Sequence, residues 1–278
     1  MTLEGYTRPA AVAGTFYAAD SAQLRTDVGR LLNTVQQWRP TGRVIALVSP
    51  HAGYEYSGSV AAHAFSTLQG RSIDTVVIVS PSHKEFFDGI SVFNGGAYST
   101  PLGRVPIDEQ LRENLLCNDL ILESSTRGHG VEHAIEVQLP FLQCVLGQIK
   151  FLPIVIGNQC REYCFHLGTR LATLLQDKNA IMIASTDLSH DHASTTADRI
   201  DGITMADIES MDYAQLMSHL ETGDIEACGG GPTVAVILAA TALGANKAHI
   251  LAHGHSGDVT GDRRSVVGYL AAALLHTN

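Results

Sequence analysis

The sequence has little positive charge, no long apolar run and few cysteines. Its 18 Lys and Arg residues against 28 Asp and Glu residues give a net charge of −10, and no cluster of basic residues is present that would hold a nucleic-acid backbone. The longest apolar stretches, 234–245 and 266–275, are far shorter than the roughly 20 residues that a membrane span needs. These absences argue against a nucleic-acid-binding protein and against a membrane protein.

The cysteines and the N-terminal segment indicate the compartment. Five scattered cysteines do not form the framework of a secreted, disulfide-rich domain. Residues 1–17 lack the basic start, apolar block and cleavage site of a secretory signal. We therefore expect a cytoplasmic protein with reduced thiols.

Several catalytic motifs are also absent. The sequence contains no Gly-x-Gly-x-x-Gly, no Gly-Lys pair of a P-loop, no Gly-x-Ser-x-Gly and no His-Glu-x-x-His. The sequence therefore lacks the motifs that usually indicate a dinucleotide cofactor, nucleotide hydrolysis, a serine esterase or a zinc protease.

Short runs rich in Val and Ile alternate with segments of helical spacing, a pattern typical of an α/β sheet. We predict one domain over 1–278, with a central, mostly parallel sheet and helices on both faces. A turn at Asn94-Gly95-Gly96 predicts a hairpin and some antiparallel strand. The predicted strands are 44–49, 75–80, 151–156, 180–185, 248–253 and 265–274. The predicted helices are 21–38, 58–68, 108–116, 134–146 with an interruption at Pro140, 161–176, 196–211 and 233–243.

Histidine is abundant, with 13 residues, and three histidines follow predicted strands closely. They are His51, His83 and His190, the last preceded by Asp187. Loops beyond the carboxyl ends of parallel strands converge on one crevice, where such sheets bind ligands. A single histidine is usually a hydrogen-bonded structural residue, but three at the ends of three separate strands favour a shared metal or acid/base site.

Other polar residues offer weaker signals. Asp258 lies in a loop after a predicted strand, where it is either an anionic ligand or a turn residue. Glu132 and His133 precede a predicted helix, where they either orient ligands or complement the helix dipole. Cys160 and Cys164 lack a second pair at zinc-site spacing, so we interpret them as ordinary thiols.

Six longer motifs occur along the chain in one order. They are Arg8-Pro9-Ala10-Ala11-Val12-Ala13-Gly14-Thr15-Phe16-Tyr17, Pro50-His51-Ala52-Gly53-Tyr54 with Tyr56-Ser57-Gly58, Pro81-Ser82-His83, Thr100-Pro101-Leu102-Gly103, Glu132-His133-Ala134-Ile135-Glu136-Val137-Gln138-Leu139-Pro140 and Thr186-Asp187-Leu188-Ser189-His190. In their order and spacing these motifs resemble those of the Memo family, and the resemblance extends from about Arg8 to Tyr269.

The resemblance implies the fold of class III extradiol ring-cleaving dioxygenases, which hold non-haem iron through two histidines and a carboxylate. Position by position, the resemblance implies that His51 and His83 are metal ligands. It also implies that His190 is the catalytic acid/base, with Asp187 in the same motif. Eukaryotic members are expected to supply a cysteine from the segment matching 256–262, which has none here, so Asp258 becomes the expected third ligand. His133 is expected to support the catalytic group.

The implied function is a metal-dependent redox enzyme that uses Fe(II), with copper or zinc as alternatives, on a small-molecule or peptide substrate. A zinc-dependent hydrolase and a non-catalytic binding protein with a vestigial pocket are the competing hypotheses. The resemblance to prokaryotic members, of the AmmeMemoRadiSam system protein B type, also implies an AMMECR-type protein and a radical SAM enzyme as partners.

Overall fold

The structure is a computed structural model that describes residues 5–35 and 38–277. Residues 36–37, which end the helix predicted over 21–38, lie outside the described residues, as do residues 1–4 of the N-terminal segment. Within the described part of the chain, no helix is long and apolar enough to cross a membrane.

The strands and helices alternate along the chain. In the described residues the strands β1 to β12 are Thr7–Arg8, Arg43–Ser49, Thr75–Pro81, Ile90–Phe93, Ala97–Thr100, Gly103–Pro106, Leu122–Ser125, Lys150–Ile156, Ala180–Ser185, His190–His192, Lys247–His255 and Val266–His276. The helices α1 to α9 are Ser21–Thr34, Tyr54–Ser66, Glu109–Leu116, Leu139–Leu146, Arg161–Leu175, Ser194–Ser210, Tyr213–Thr222, Gly230–Ala242 and Gly257–Thr260.

The main sheet has the order β10-β12-β2-β9-β3-β8-β4-β7, with β11 paired to β12. Its four central strands, β2, β9, β3 and β8, are parallel to one another, as predicted. The flanking strands β12 and β4 run antiparallel to β2 and β8. A second sheet of three short strands has the order β1-β5-β6.

Side chains alternate between two hydrophobic layers along each central strand, because successive residues point to opposite faces. On β3, Val77 and Val79 face the layer that includes residues of α5, α7 and α8, whereas Val76 and Ile78 face the layer of α1, α2 and α4. Both faces of the sheet are therefore covered by helices, which confirms the predicted architecture and accounts for the near-continuous apolar runs.

All six predicted strands are present, and Pro140 acts as expected. A 3-10 turn over Glu136–Gln138 precedes α4, which then begins at Leu139, because proline fits the first turn of a helix. The predicted hairpin at Asn94 is wrong, since β4 pairs with β7 and β8 while β5 pairs with β1 and β6. That turn instead carries the chain from the main sheet into the small one.

The three strands that end in predicted site residues are neighbours. β9 lies between β2 and β3 and is parallel to both. Their carboxyl ends therefore deliver His51, Asp187 and His83 to the same edge of the sheet.

Candidate metal centre

His51 follows β2 and is buried, with 1% of its surface exposed. Its Nδ1 atom lies 2.9 Å from the Ser185 hydroxyl, and its Nε2 atom lies 3.0 Å from the Cys228 sulfur. The backbone N–H of His51 donates to the Asp187 carboxylate at 2.8 Å. Burial, followed by the nearby His83 and His133, lowers the pKa of His51, so the ring is neutral at neutral pH.

His83 follows β3 and is held by Glu132 from a different loop. The Glu132 carboxylate accepts the backbone N–H of His83 at 2.6 Å and lies 3.0 Å from its Nδ1 atom. A carboxylate only accepts, so Nδ1 carries a proton, and Nε2 is the ring nitrogen that could bind a metal. This is the carboxylate-histidine arrangement that orients imidazole ligands in metal sites.

Cys228 comes from the loop before α8, far along the chain from both histidines. Its sulfur accepts a 3.2 Å hydrogen bond from the backbone N–H of Asp187, and its own N–H donates to the Asp187 carbonyl. The Gln159 side chain closes the loop by donating to the Cys228 carbonyl and accepting from the Gly231 N–H, both at 2.8 Å. Burial raises the pKa of the thiol, so a bound cation would be needed to favour the thiolate.

The three side chains form a compact donor set. One ligand atom from each of His51, His83 and Cys228 lies within 4.8 Å of the other two. Two imidazoles and a thiol suit copper, zinc and iron, whereas magnesium and calcium prefer oxygen ligands. The residues present therefore fit a transition-metal ion.

Glu132 belongs to a second such group with His83 and His133, but its carboxylate is already occupied. It accepts the backbone N–H groups of His83, His133 and Ala134 in addition to the His83 ring. Burial alone would raise the pKa of Glu132, but these hydrogen bonds and the His83 ring hold it at about 2. We interpret Glu132 as the anchor of His83 rather than as a ligand.

His133 completes a cluster of three imidazoles. Its ring centroid lies 4.9 Å from that of His83 and 5.4 Å from that of His51, and Phe16 packs 4.8 Å away. Burial lowers the pKa of His133 to about 4, which keeps the ring neutral. His133 and Phe16 therefore form one wall beside the donor set.

The comparisons with known proteins agree with the motifs. A family model described as Memo-like protein matches residues 8–273. The chain belongs to the Memo family. It is 39% identical to a MEMO1 family protein of Sulfolobus acidocaldarius, over 94% of this chain and 96% of the relative. It is 37% identical to one of Methanosarcina mazei, over 95% and 97%, and 34% identical to one of Methanobrevibacter smithii, over 94% and 97%.

A solved structure resembles this Memo-family chain in fold. The uncharacterized protein JW3007 from Escherichia coli K12 superposes with a TM-score of 0.51 at 15% identity, over 84% of this chain and 100% of that one. The likeness supports the α/β architecture and is too distant to inform activity.

Two of the predicted catalytic residues of this Memo-family chain lie around the donor set. Asp187 is buried, accepts the backbone N–H groups of His51 and Ala52, and has its pKa raised to about 6, chiefly by burial. His190 is exposed, and its Nδ1 atom lies 2.8 Å from the Leu188 carbonyl. Because a carbonyl only accepts, Nδ1 carries a proton, and Nε2 has no hydrogen-bond partner among the residues that the structure describes.

The predicted ligand Asp258 has other partners. Its carboxylate accepts the backbone N–H of His255 at 2.9 Å and lies 3.5 Å from Arg263. Within the described residues it belongs to no group of close ligand atoms, and the group containing His51 and His83 has Cys228 as its third member. Its role as a ligand stays a prediction.

Cys228 is the residue that the sequence argument overlooked. Segment 256–262 contains no cysteine, whereas the loop before α8 brings Cys228 to the His51 ring. The available signal was its position directly before Gly229-Gly230-Gly231-Pro232, a helix start at which side chains and N–H groups face a common pocket. Ser185, whose hydroxyl contacts the His51 ring, and Gln138, which donates to that hydroxyl, were also missed.

Proposed function

We propose that this protein is a metal-dependent oxidoreductase that binds one iron or copper ion through His51, His83 and Cys228. The observation that supports the proposal is the convergence of two imidazoles and a thiol within 4.8 Å at the carboxyl edge of the sheet. We propose Cys228, rather than Asp258, as the third ligand, because its sulfur faces the His51 ring directly.

The donor set bears on the choice of metal. Two histidines and a carboxylate are the donor set of non-haem Fe(II) oxygenases, whereas replacing the carboxylate by a thiol admits copper as readily as iron. When bound by these side chains, either metal would supply redox chemistry. Zinc fits the same donors, and a zinc-dependent hydrolase is the alternative to be separated by experiment.

The protein residues have separate roles in this proposal. His190 presents a free Nε2 atom at the exposed rim and takes a proton from the substrate. Asp187 holds the two ligand loops together, because its carboxylate accepts the His51 N–H and its own N–H donates to the Cys228 sulfur. His133 and Phe16 exclude water from one side of the pocket.

The test begins with metal analysis of the purified protein, followed by oxygen consumption with a catechol-type substrate and a panel of reduced small molecules and peptides. We expect one bound iron or copper ion and oxygen uptake. His190→Gln should keep the metal and lose about 10²- to 10⁴-fold in turnover. Activity that persists without oxygen and follows zinc would contradict the proposal and favour hydrolysis.

A non-catalytic binding protein makes a different prediction. In that case the His51→Ala/His83→Ala double variant would bind its partner as well as the unaltered chain, and no substrate would support oxygen uptake. The AMMECR-type protein and the radical SAM enzyme are the proposed partners to use in that assay.

A further inference from the structure

The hydroxyl of Ser185, the last residue of β9, has three buried partners. It lies 2.7 Å from the Ala134 carbonyl oxygen, 2.9 Å from the Gln138 side-chain nitrogen and 2.9 Å from Nδ1 of His51. Ser185, Gln138 and His51 are each exposed by 1% or less. Water therefore does not compete for these contacts.

The hydrogen atoms in this cluster can be assigned by counting. The Ala134 carbonyl only accepts, so it takes the single hydrogen of the Ser185 hydroxyl. The same side-chain atom of Gln138 faces the Pro50 carbonyl at 3.0 Å, so it must be the NH₂ group, and it donates to Ser185 as well. The remaining contact is possible only if Nδ1 of His51 donates to the hydroxyl.

We propose that Ser185 and Gln138 are positioning residues that fix His51 in the Nδ1–H tautomer. The Nε2 atom, 3.0 Å from the Cys228 sulfur, then keeps the lone pair that a metal needs. A free neutral histidine side chain in water favours the Nε2–H tautomer. The Ser185 and Gln138 contacts therefore stabilise the tautomer that is less populated in water. This inference deepens the proposed function and depends on it for its biological meaning.

One short segment then orients both histidine ligands. Glu132 holds Nδ1 of His83 directly, whereas Ala134 and Gln138 act on His51 through Ser185. His83 is therefore oriented by a charged carboxylate, whereas His51 is oriented by neutral groups. A purely structural role for Ser185 would require neither the choice of tautomer nor any effect on metal binding.

The test reads the imidazole tautomers directly in metal-free, ¹⁵N-labelled protein by long-range ¹H–¹⁵N correlation spectra at one pH. In the unaltered chain we expect His51 with its proton on Nδ1. His129 is an internal reference of the opposite kind, because its Nε2 atom faces the Ser91 carbonyl and its Nδ1 atom faces the Tyr98 hydroxyl. A proton on Nε2 of His51 in the unaltered chain would overturn the inference.

Three substitutions separate positioning from packing. Ser185→Ala should release the His51 tautomer and weaken Zn²⁺ binding, measured against a chromophoric chelator, by about 10- to 100-fold. Ser185→Thr retains the hydroxyl and should restore both. The matched control is Ser80→Ala, which removes a buried hydroxyl at the end of β3 that donates to the Pro81 carbonyl.

The outcomes are distinguishable from those of the proposed function. The tautomer is measured in metal-free protein. A chain that binds no metal would therefore refute the proposed function, whereas the His51 tautomer would still be tested by the ¹H–¹⁵N spectra. A Ser185→Ala variant that keeps His51 entirely as the Nδ1–H tautomer would refute this inference. So would an equal loss of Zn²⁺ affinity in Ser80→Ala, because the effect would then be one of packing.

Discussion

The carboxylate of Glu132 accepts the backbone N–H of His83 at 2.6 Å and lies 3.0 Å from Nδ1 of the same residue. One side chain therefore fixes both the loop position and the ring orientation of His83. The two residues are 49 positions apart in the sequence, so the contact depends on the fold.

Removing the charge of Glu132 should weaken metal binding. In Glu132→Gln the amide can still accept from the His83 ring, but without the negative charge that raises ligand basicity. We expect metal affinity to fall by about 10- to 100-fold, measured by competition with a chelator. Glu85→Gln is the matched control, because Glu85 accepts the Gly128 N–H from the neighbouring loop; an equal loss there would contradict the role of Glu132.

The loop that carries Cys228 should depend on Gln159. Gln159→Leu leaves the Cys228 carbonyl and the Gly231 N–H without their 2.8 Å partner, at a cost of about 1–3 kcal/mol for each unsatisfied group. Metal affinity should fall together with stability in urea unfolding. Unchanged affinity in a destabilised variant would show that Cys228 is positioned by Asp187 alone.

The Arg8 guanidinium forms a buried ion pair with Glu136 and donates to the carbonyls of His129 and Glu132. Arg8→Met leaves a buried carboxylate without its partner, so we expect a loss of about 3–5 kcal/mol in the free energy of unfolding. Arg8→Met/Glu136→Gln should lose less than the two single variants together, because it removes the uncompensated charge. Additive losses in denaturant unfolding would contradict a coupled pair.

Stability should depend on pH through His129, which is buried between Tyr98 and Ser91. Burial lowers its pKa from 6.5 to about 3. Between these values the unfolded chain binds a proton that the folded chain does not, so the free energy of unfolding falls as the pH falls. The slope from this residue is at most about 1.4 kcal/mol per pH unit.

His129→Gln provides the comparison, because glutamine offers an N–H and an acceptor but does not titrate in this range. The difference in stability between the unaltered chain and the variant should shrink as the pH falls from 6.5. Parallel stability curves from urea unfolding would contradict the assignment. Contributions from His51 and His133 are common to both chains and cancel in the difference.

Much of the fold could be predicted from the sequence because its strands are buried on both faces. Runs such as Thr75–Pro81 are short, apolar and buried at every position, and three of them end shortly before His51, His83 and the Asp187 motif. The small sheet could not be predicted, because strands of two to four residues leave no periodic pattern.

The third member of the donor set could not be predicted for a different reason. Cys228 is 177 positions from His51 and lies in a loop, so no spacing relates it to the histidines. The sequence instead predicts Asp258 as the third ligand, and its carboxylate accepts the His255 N–H. Tertiary packing determines which residue lies beside His51 and His83, and a single sequence carries no pattern that reports this packing.

X-ray absorption fine structure at the K edge of the bound metal tests the central claim most directly. We expect scattering from the nitrogens of two imidazoles and from one sulfur. The metal–sulfur distance should be about 2.3 Å, which is typical of a metal thiolate. The sulfur shell should disappear in Cys228→Ser and remain in Asp258→Asn. A shell of only nitrogen and oxygen in the unaltered protein would contradict the assignment of Cys228 as a ligand.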